Sequence, residues 1–455
     1  IKHFTTLTIM KKQLLTAAIL CCLVIAGSTA APKSAKKKPK IPVSRVQTHM
    51  DGYLGDRIDA CIRVRVCSED PDLLVAPMRR QTETSLWQSE FWGKWTLGAI
   101  ASYRYNKDPE LLRKIEGGVE SLLAAQQPDG YIGNYAPEAQ LTNWDVWGRK
   151  YTMLGLLAYY DLTGDKKALD GAVRLADHLL TQIPAVRQIE RTGIYRGMSS
   201  CSILEPIMLL YNRTLDEKYL DFARYIVDRM ESADGPQLIA KALDGVPVSE
   251  RFPLDDPSRG WFVWENGQKA YEMMSCYDVL LELYKVTNDP RYLKAVEATV
   301  TSIIADEINI AGSGSSFECF YKGKALQTEP AYHTMETCVT MTWMKLCYDL
   351  LRLTRNPLYA DQIERSAYNA LAASMKEDAS QIAKYSPLEG ARSAGEEQCG
   401  MHVNCCNMNG PRAFALLPEA AVTDYGDELF VNLYGPMSST VRLDGGEVLL
   451  EQATS

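Results

Sequence analysis

The chain has 455 residues, 46% of them hydrophobic and 23% charged, which excludes a disordered or collagen-like protein. Its formal net charge of −8 gives no basic excess for a nucleic-acid face and suits a neutral, sugar-like ligand better than a polyanion. The length admits two or three domains, or one large closed domain with a smaller companion.

In chain order, the first feature is a targeting segment. Met10 opens "MKKQLLTAAILCCLVIAGSTAAPK", with two lysines, an apolar run from Leu14 to Ala26, then Ser28, Thr29 and Ala30. That order reads as a secretory signal peptide cleaved near Ala30 or Ala31. Residues 1–31 are therefore expected to be upstream residues and signal peptide, and the protein to be exported to the periplasm or beyond. The run is short for a membrane span, and no later segment is apolar enough to make one. "AAILC" lacks the small residue expected before a lipid-bearing Cys21 or Cys22. "PKSAKKKPKIP" (32–42) reads as a basic, proline-rich linker. Export makes disulfides the default reading of the remaining cysteines, with Cys61 and Cys67 close enough in sequence to pair. Metal binding and plain burial are the other readings.

The middle of the chain repeats one plan five times: an apolar helical run, a polar turn, and a second, amphipathic run. The turns centre on Asp108, Asp165, Asp216, Asp289 and Asn356. Apolar residues recur at three and four, and Asp or Asn, sometimes before Pro, opens each second run. Long inserts separate these hairpins: "WQSEFWGKW" (87–95), "QQPDGYIGNY" (126–135), "NWDVWGRKY" (143–151) and "RGWFVWENGQK" (259–269). Trp and Tyr beside acids, amides and lysines suit sugar rings, whose faces stack and whose hydroxyls take directed hydrogen bonds. Any one of these tryptophans can equally be helix packing. The expected architecture is mainly α, an (α/α)6 toroid over residues 43–420, with flanking segments supplying the sixth hairpin. From 421 to 455 the alternation of "ELFVNLYGPMSSTVRLDGGEVLLEQATS", with "DGG" as a turn, predicts the start of a truncated β domain.

Two motifs carry the chemistry. "METC" places Glu336 two residues before Cys338 at the start of a helix-like run, and "MHVNCCNMNGPR" holds the adjacent pair Cys405 and Cys406. Neighbouring cysteines make a poor disulfide. One carboxylate with three thiolates is a plausible tetrahedral ligand set, and thiolates select Zn²⁺ over calcium or magnesium.

"ECF" (318–320), "METC" (335–338), "YADQIERSAYNAL" (359–371) and "VNCCNMNGPR" (403–412), in that order, resemble glycoside hydrolase family 127, the β-L-arabinofuranosidase-like enzymes. The resemblance implies an (α/α)6 barrel followed by β-sandwich domains. It implies zinc held by Glu336, Cys338, Cys405 and Cys406, with Cys405 as nucleophile and Glu318 as general acid/base. It also implies that Glu364 lies near the sugar and Tyr385 lines the pocket. The expected activity is release of β-L-arabinofuranose, or a related pectin side-chain sugar, from an oligosaccharide or polysaccharide. The family's pocket histidines are missing: the five here are His3, His49, His178, His333 and His402. Lys150 and Tyr151 in "GRKYTML", and Lys269 in "NGQKAYEMM", stand in their places. With Trp92 and Asp145 they are the expected sugar-binding residues. The lysines point either to a carboxylate on the substrate or to salt bridges with Glu265 or Asp145, and His402 and His333 are candidate neighbours of the metal. Two rival readings remain at this point: a non-catalytic carbohydrate-binding toroid with a structural zinc, or another (α/α)6 enzyme such as an unsaturated glucuronyl hydrolase or an epimerase. Nothing in the sequence sets the oligomeric state.

Overall fold

The computed structural model describes residues 45–253, 268–395, 397–426 and 428–453. In chain order the helices are α1 (Gly52–Cys61), α2 (Pro71–Arg80), α3 (Ser89–Asn106), α4 (Pro109–Ala124), α5 (Asp145–Thr163), α6 (Lys166–Gln182), α7 (Met198–Cys201) and α8 (Leu204–Thr214). They continue with α9 (Glu217–Met230), α10 (Leu238–Leu243), α11 (Ala270–Thr287), α12 (Pro290–Asp306), α13 (Thr337–Thr354), α14 (Pro357–Ser366), α15 (Ala372–Ser374) and α16 (Cys405–Ala421).

The five polar turns seen in the sequence are helix junctions of one design. Lys107, Gly164, Leu215, Asn288 and Arg355 end the first helix of each pair in the left-handed region. The next residue but none is Asp108, Asp165, Asp216, Asp289 or Asn356, whose side chain accepts the N–H two positions on and caps the second helix. Each pair thus returns antiparallel through a tight corner.

Helices α3, α5, α8, α11, α13 and α16 pack successively and close a ring, α16 returning against α3. Outside it, α4, α6, α9, α12 and α14 each pack on their own partner, and α1 lies against α16. The sixth hairpin is therefore built from the two ends of the barrel. Inner helices such as α3, α5, α11 and α13 are buried round most of their circumference, whereas outer helices bury one stripe. The closest approach is between α3 and α5. A Cβ on Gly93 would stand 2.3 Å from the Tyr151 carbonyl oxygen, and one on Gly148 1.9 Å from Ser89 Oγ.

A small sheet lies beside the ring. Strands β1 (Val46–Met50), β4 (Met437–Leu443) and β5 (Gly446–Gln452) pair antiparallel in the order β1-β4-β5, and β2 (Val422–Asp424) pairs with β3 (Leu429–Val431). The Asp444-Gly445 turn joins β4 to β5, with Leu443 opposite Gly446. Strand β1 was not foreseen. It adds to β4 in the register Val46↔Val441 to Met50↔Met437, with Thr48 Oγ1 and Ser439 Oγ 2.8 Å apart. Cys61 and Cys67 are both free thiols, not a pair. Among the described residues no helix is long and apolar enough to cross a membrane.

Candidate active site

Two inner helices aim their N-termini at one point. Glu336 is the N-cap residue of α13 and Cys338 lies in its first turn, while Cys405 opens α16, capped by Asn404 on the Asn407 N–H at 2.9 Å. The Cys405 N–H donates to Gln398 Oε1 at 3.0 Å. The ligand atoms of Glu336, Cys338, Cys405 and Cys406 all lie within 4.8 Å of one another. Cys338 Sγ is 3.4 Å from Cys406 Sγ, Cys405 Sγ is 3.9 Å from Cys406 Sγ, and Glu336 Oε1 is 3.7 and 3.5 Å from the Cys405 and Cys406 sulfurs. These separations are far beyond an S–S bond. They match the edges of a tetrahedron: thiolates about 2.3 Å from a shared zinc stand about 3.8 Å apart.

The electrostatics of the cluster ask for a cation. Burial, first, and the neighbouring acidic groups push the Glu336 carboxyl and the Cys338 and Cys406 thiols up. Hydrogen bonds from Cys338 and Cys406 pull the Cys405 thiol down. Three buried acids and the half-buried Cys405 cannot all ionise together unaided, and a divalent ion would balance them. Cys405 is the partly exposed member of the pair, and with Cys338 it faces the cavity beside the cluster.

That cavity has a volume of about 370 Å³. Trp87, Trp144, Trp147, Tyr195 and Tyr271 form one wall, with Trp144 5.7 Å from both Trp87 and Trp147 and 6.0 Å from Tyr195 between ring centres. Glu318 also lines the cavity, in a tight turn with φ of 65°. The segment after it is tied down by Glu307, whose carboxylate accepts the N–H groups of Tyr321, Lys322 and Gly323 at 3.0, 2.9 and 3.1 Å. Glu318 Oε2 is 2.5 Å from Lys269 Nζ, and Oε1 is 3.1 Å from both Lys384 Nζ and the Tyr385 hydroxyl. Burial would raise its pKa, but Lys269 and then Lys384 outweigh that and hold the carboxyl at about 2.

Of the residues singled out in the sequence, the structure gathers Glu318, Glu336, Cys338, Cys405 and Lys269 around one cavity, with Cys406 in the cluster but off the lining and Tyr385 on Glu318. Others lie elsewhere. Trp92 is fully buried and donates its indole N–H to the Gly118 carbonyl, so it packs between helices. Asp145 accepts from Tyr131 Oη, the Leu141 N–H and Arg149, which fixes the start of α5. Lys150 sits behind the wall, 4.8 Å from the Trp147 ring and 3.7 Å from Glu205, and the Tyr151 hydroxyl meets that of Tyr271. Glu364 is on the outer helix α14 and does not line the cavity. The expected salt bridges are also redrawn: Lys269 pairs with Glu318, and Asp145 with Arg149 rather than Lys150. Glu265 lies outside the described residues. His402 bonds Glu69 at 2.7 Å, and His333 stacks on Phe317 at 4.1 Å with the Tyr385 ring 5.1 Å away.

Sequence reasoning missed Glu90, Lys94, Glu272 and Lys384, all in the cavity lining. Glu90 and Lys94 are one helical turn apart and 2.8 Å in contact, and Glu90 also accepts the Trp147 indole N–H. Their signal was a charged i,i+4 pair at the start of an inner helix that is buried round most of its circumference.

A ring of helical hairpins thus holds acids, lysines and an aromatic wall in one cavity, which is the architecture of an (α/α)6 toroid with a candidate active site. The family model for the β-L-arabinofuranosidase GH127 catalytic domain matches residues 56–419, and the chain belongs to that family. A non-reducing end β-L-arabinofuranosidase of Bifidobacterium longum subsp. longum is 23% identical over 65% of this chain. The chain spans 47% of that curated relative's length. Among solved structures, a GH127 β-arabinofuranosidase superposes with a TM-score of 0.67 at 21% identity, covering 91% of this chain and 67% of the other. A GH127 β-L-arabinofuranosidase from Geobacillus stearothermophilus T6 gives 0.66 at 21% identity, covering 89% and 70%. A family 88 glycosyl hydrolase from Bacteroides vulgatus shares the fold more distantly, at 0.53 and 12% identity, covering 81% and 99%.

Proposed function

We propose that this protein is an exported, zinc-dependent glycoside hydrolase that releases a non-reducing-end β-L-arabinofuranose, or a closely related plant-glycan side-chain sugar, with retention of configuration. The observation that carries the reading is the three-thiol, one-carboxyl cluster at the floor of an aromatic-walled cavity, with Cys405 open to that cavity. Zinc held by Glu336, Cys338, Cys405 and Cys406 would supply the positive charge that keeps these groups ionised at neutral pH.

Cys405, at the N-terminus of α16, attacks the anomeric carbon, so that the C–S bond forms as the glycosidic C–O bond breaks. Glu318 donates a proton to the departing oxygen. In the second half Glu318 takes a proton from water, which displaces the sulfur and restores Cys405. Two inversions give net retention, as in glycosidases that use a carboxylate nucleophile. Lys269 and Lys384 favour the carboxylate form of Glu318 needed to activate water, and oppose the protonated form needed by the leaving group.

The test is the anomer first formed. With nitrophenyl β-L-arabinofuranoside in water containing methanol, proton NMR of the initial products should show the β-furanoside of methanol. An α-linked methyl product would contradict attack by Cys405, and absence of release by zinc-loaded protein would contradict the substrate.

A further inference from the structure

Among the described residues, one residue of the cavity lining has a buried acceptor without a partner. Glu272, in the first turn of α11, is 2% exposed and lines the cavity, and its Oε2 makes no hydrogen bond to any described residue. The other carboxyls there are engaged: Glu90 by Lys94 and Trp147, Glu318 by Lys269, Lys384 and Tyr385, and Glu336 by the thiols. The lysines of the lining are committed to those same carboxylates, so the cavity presents a spare acceptor and no spare cation among its described residues. Buried polar atoms without partners are rare in proteins, and at a cavity wall they mark where a ligand atom completes the bond.

A ligand carboxylate would meet another carboxyl at this point. A ligand hydroxyl would not. It can donate to an ionised Glu272, and it can accept if burial, partly offset by Lys269, leaves the carboxyl protonated.

We propose that Glu272 is a specificity-determining residue, whose Oε2 binds one ring hydroxyl of a neutral sugar held between the aromatic wall and Cys405. The proposal rests on reading the cavity as a sugar site, but not on catalysis. A hydroxyl partner makes Glu272 discriminate against the analogue lacking that group, because the buried acceptor is then left bare.

The experiment measures binding of L-arabinose, its 2-, 3- and 5-deoxy analogues and galacturonate to the zinc-loaded protein, wild type, Glu272→Ala and Glu272→Gln. Quenching of the fluorescence of the wall tryptophans is the signal. Wild type should bind one deoxy sugar about tenfold more weakly than the parent; Glu272→Ala should bind the parent about tenfold more weakly and lose that one discrimination. Glu272→Gln, which keeps a carbonyl oxygen, should recover part of it. In turnover, KM should rise with kcat little changed. Undiminished discrimination in Glu272→Ala, or galacturonate as the tightest ligand of the wild type, overturns the proposal. If Glu272→Ala loses its zinc or its fold, Glu272→Leu, which keeps the bulk and removes the acceptor, decides by the same comparison. Sugar binding that depends on Glu272 without nitrophenol release would leave this proposal standing and sink the proposed activity. No sugar binding by the wild type overturns the proposal.

Discussion

Glu318 is asked to do two opposite jobs, and its surroundings favour one. With its carboxyl held at about 2 by Lys269 and Lys384, the fraction protonated grows tenfold for each pH unit that falls towards that value. The acid step should therefore improve as pH drops, and only for substrates that need it. The ratio of kcat/KM for an alkyl arabinoside to that for a nitrophenyl arabinoside should rise about tenfold per unit from pH 7 to pH 5. A ratio that is flat or falls would remove Glu318 from the acid role. Glu318→Gln should slow the alkyl substrate far more than the nitrophenyl one, whereas Cys405→Ser should abolish turnover of both. Steady-state kinetics on the two substrates separates these outcomes. At this scale the sequence was readable where chemistry imposes a spacing, as in Glu336 and Cys338 with Cys405 and Cys406. It was silent on Lys384 and Glu272, which reach the cavity from two separate segments, and marked Glu90 only through its i,i+4 partner Lys94.

The helix junctions explain why the barrel's elements could be seen before its structure. Each Asp or Asn cap is chosen by the corner it turns, so it leaves a mark independent of tertiary packing. Asp108→Ala should cost about 1 kcal/mol in urea unfolding, with activity unchanged, because its bond is to the exposed start of an outer helix. The crossing of α3 and α5 is another matter. Gly93→Ala pushes a methyl group into the Tyr151 carbonyl, and the helices must part. We expect a loss of about 1–3 kcal/mol by the same measurement, with reduced activity, since α3 carries Glu90 and Lys94 and α5 carries Trp147. Full activity and stability would show that the two helices can separate freely. The inner-helix pattern also misled: Trp92 and Asp145 have the composition of sugar ligands, yet burial turns one into packing and the other into an anchor for α5. Composition could not say which face of an all-round buried helix meets the cavity.

Across the whole molecule α13 and α16 are neighbours in the ring, and the proposed metal would tie the two together through side chains 67 or more positions apart. A ligand bound only by the folded state stabilises it by mass action, so chelation should lower the melting temperature of the wild type and leave that of Glu336→Ala little changed. The sheet joins the start of the described chain to its end, and this long-range pairing left no local signal at β1 beyond a five-residue alternation. The closed ring and the thiol cluster form one claim, that the toroid is shaped to hold a zinc-bound thiolate at the floor of a sugar cavity. Its most direct test is the zinc content of purified wild-type protein beside Cys405→Ala and Glu336→Ala, each assayed for nitrophenol release from a β-L-arabinofuranoside. One zinc per wild-type chain, reduced binding in both variants, and release that vanishes with Cys405 is the predicted result. Wild-type protein free of zinc, with Cys405 and Cys406 oxidised, would contradict it.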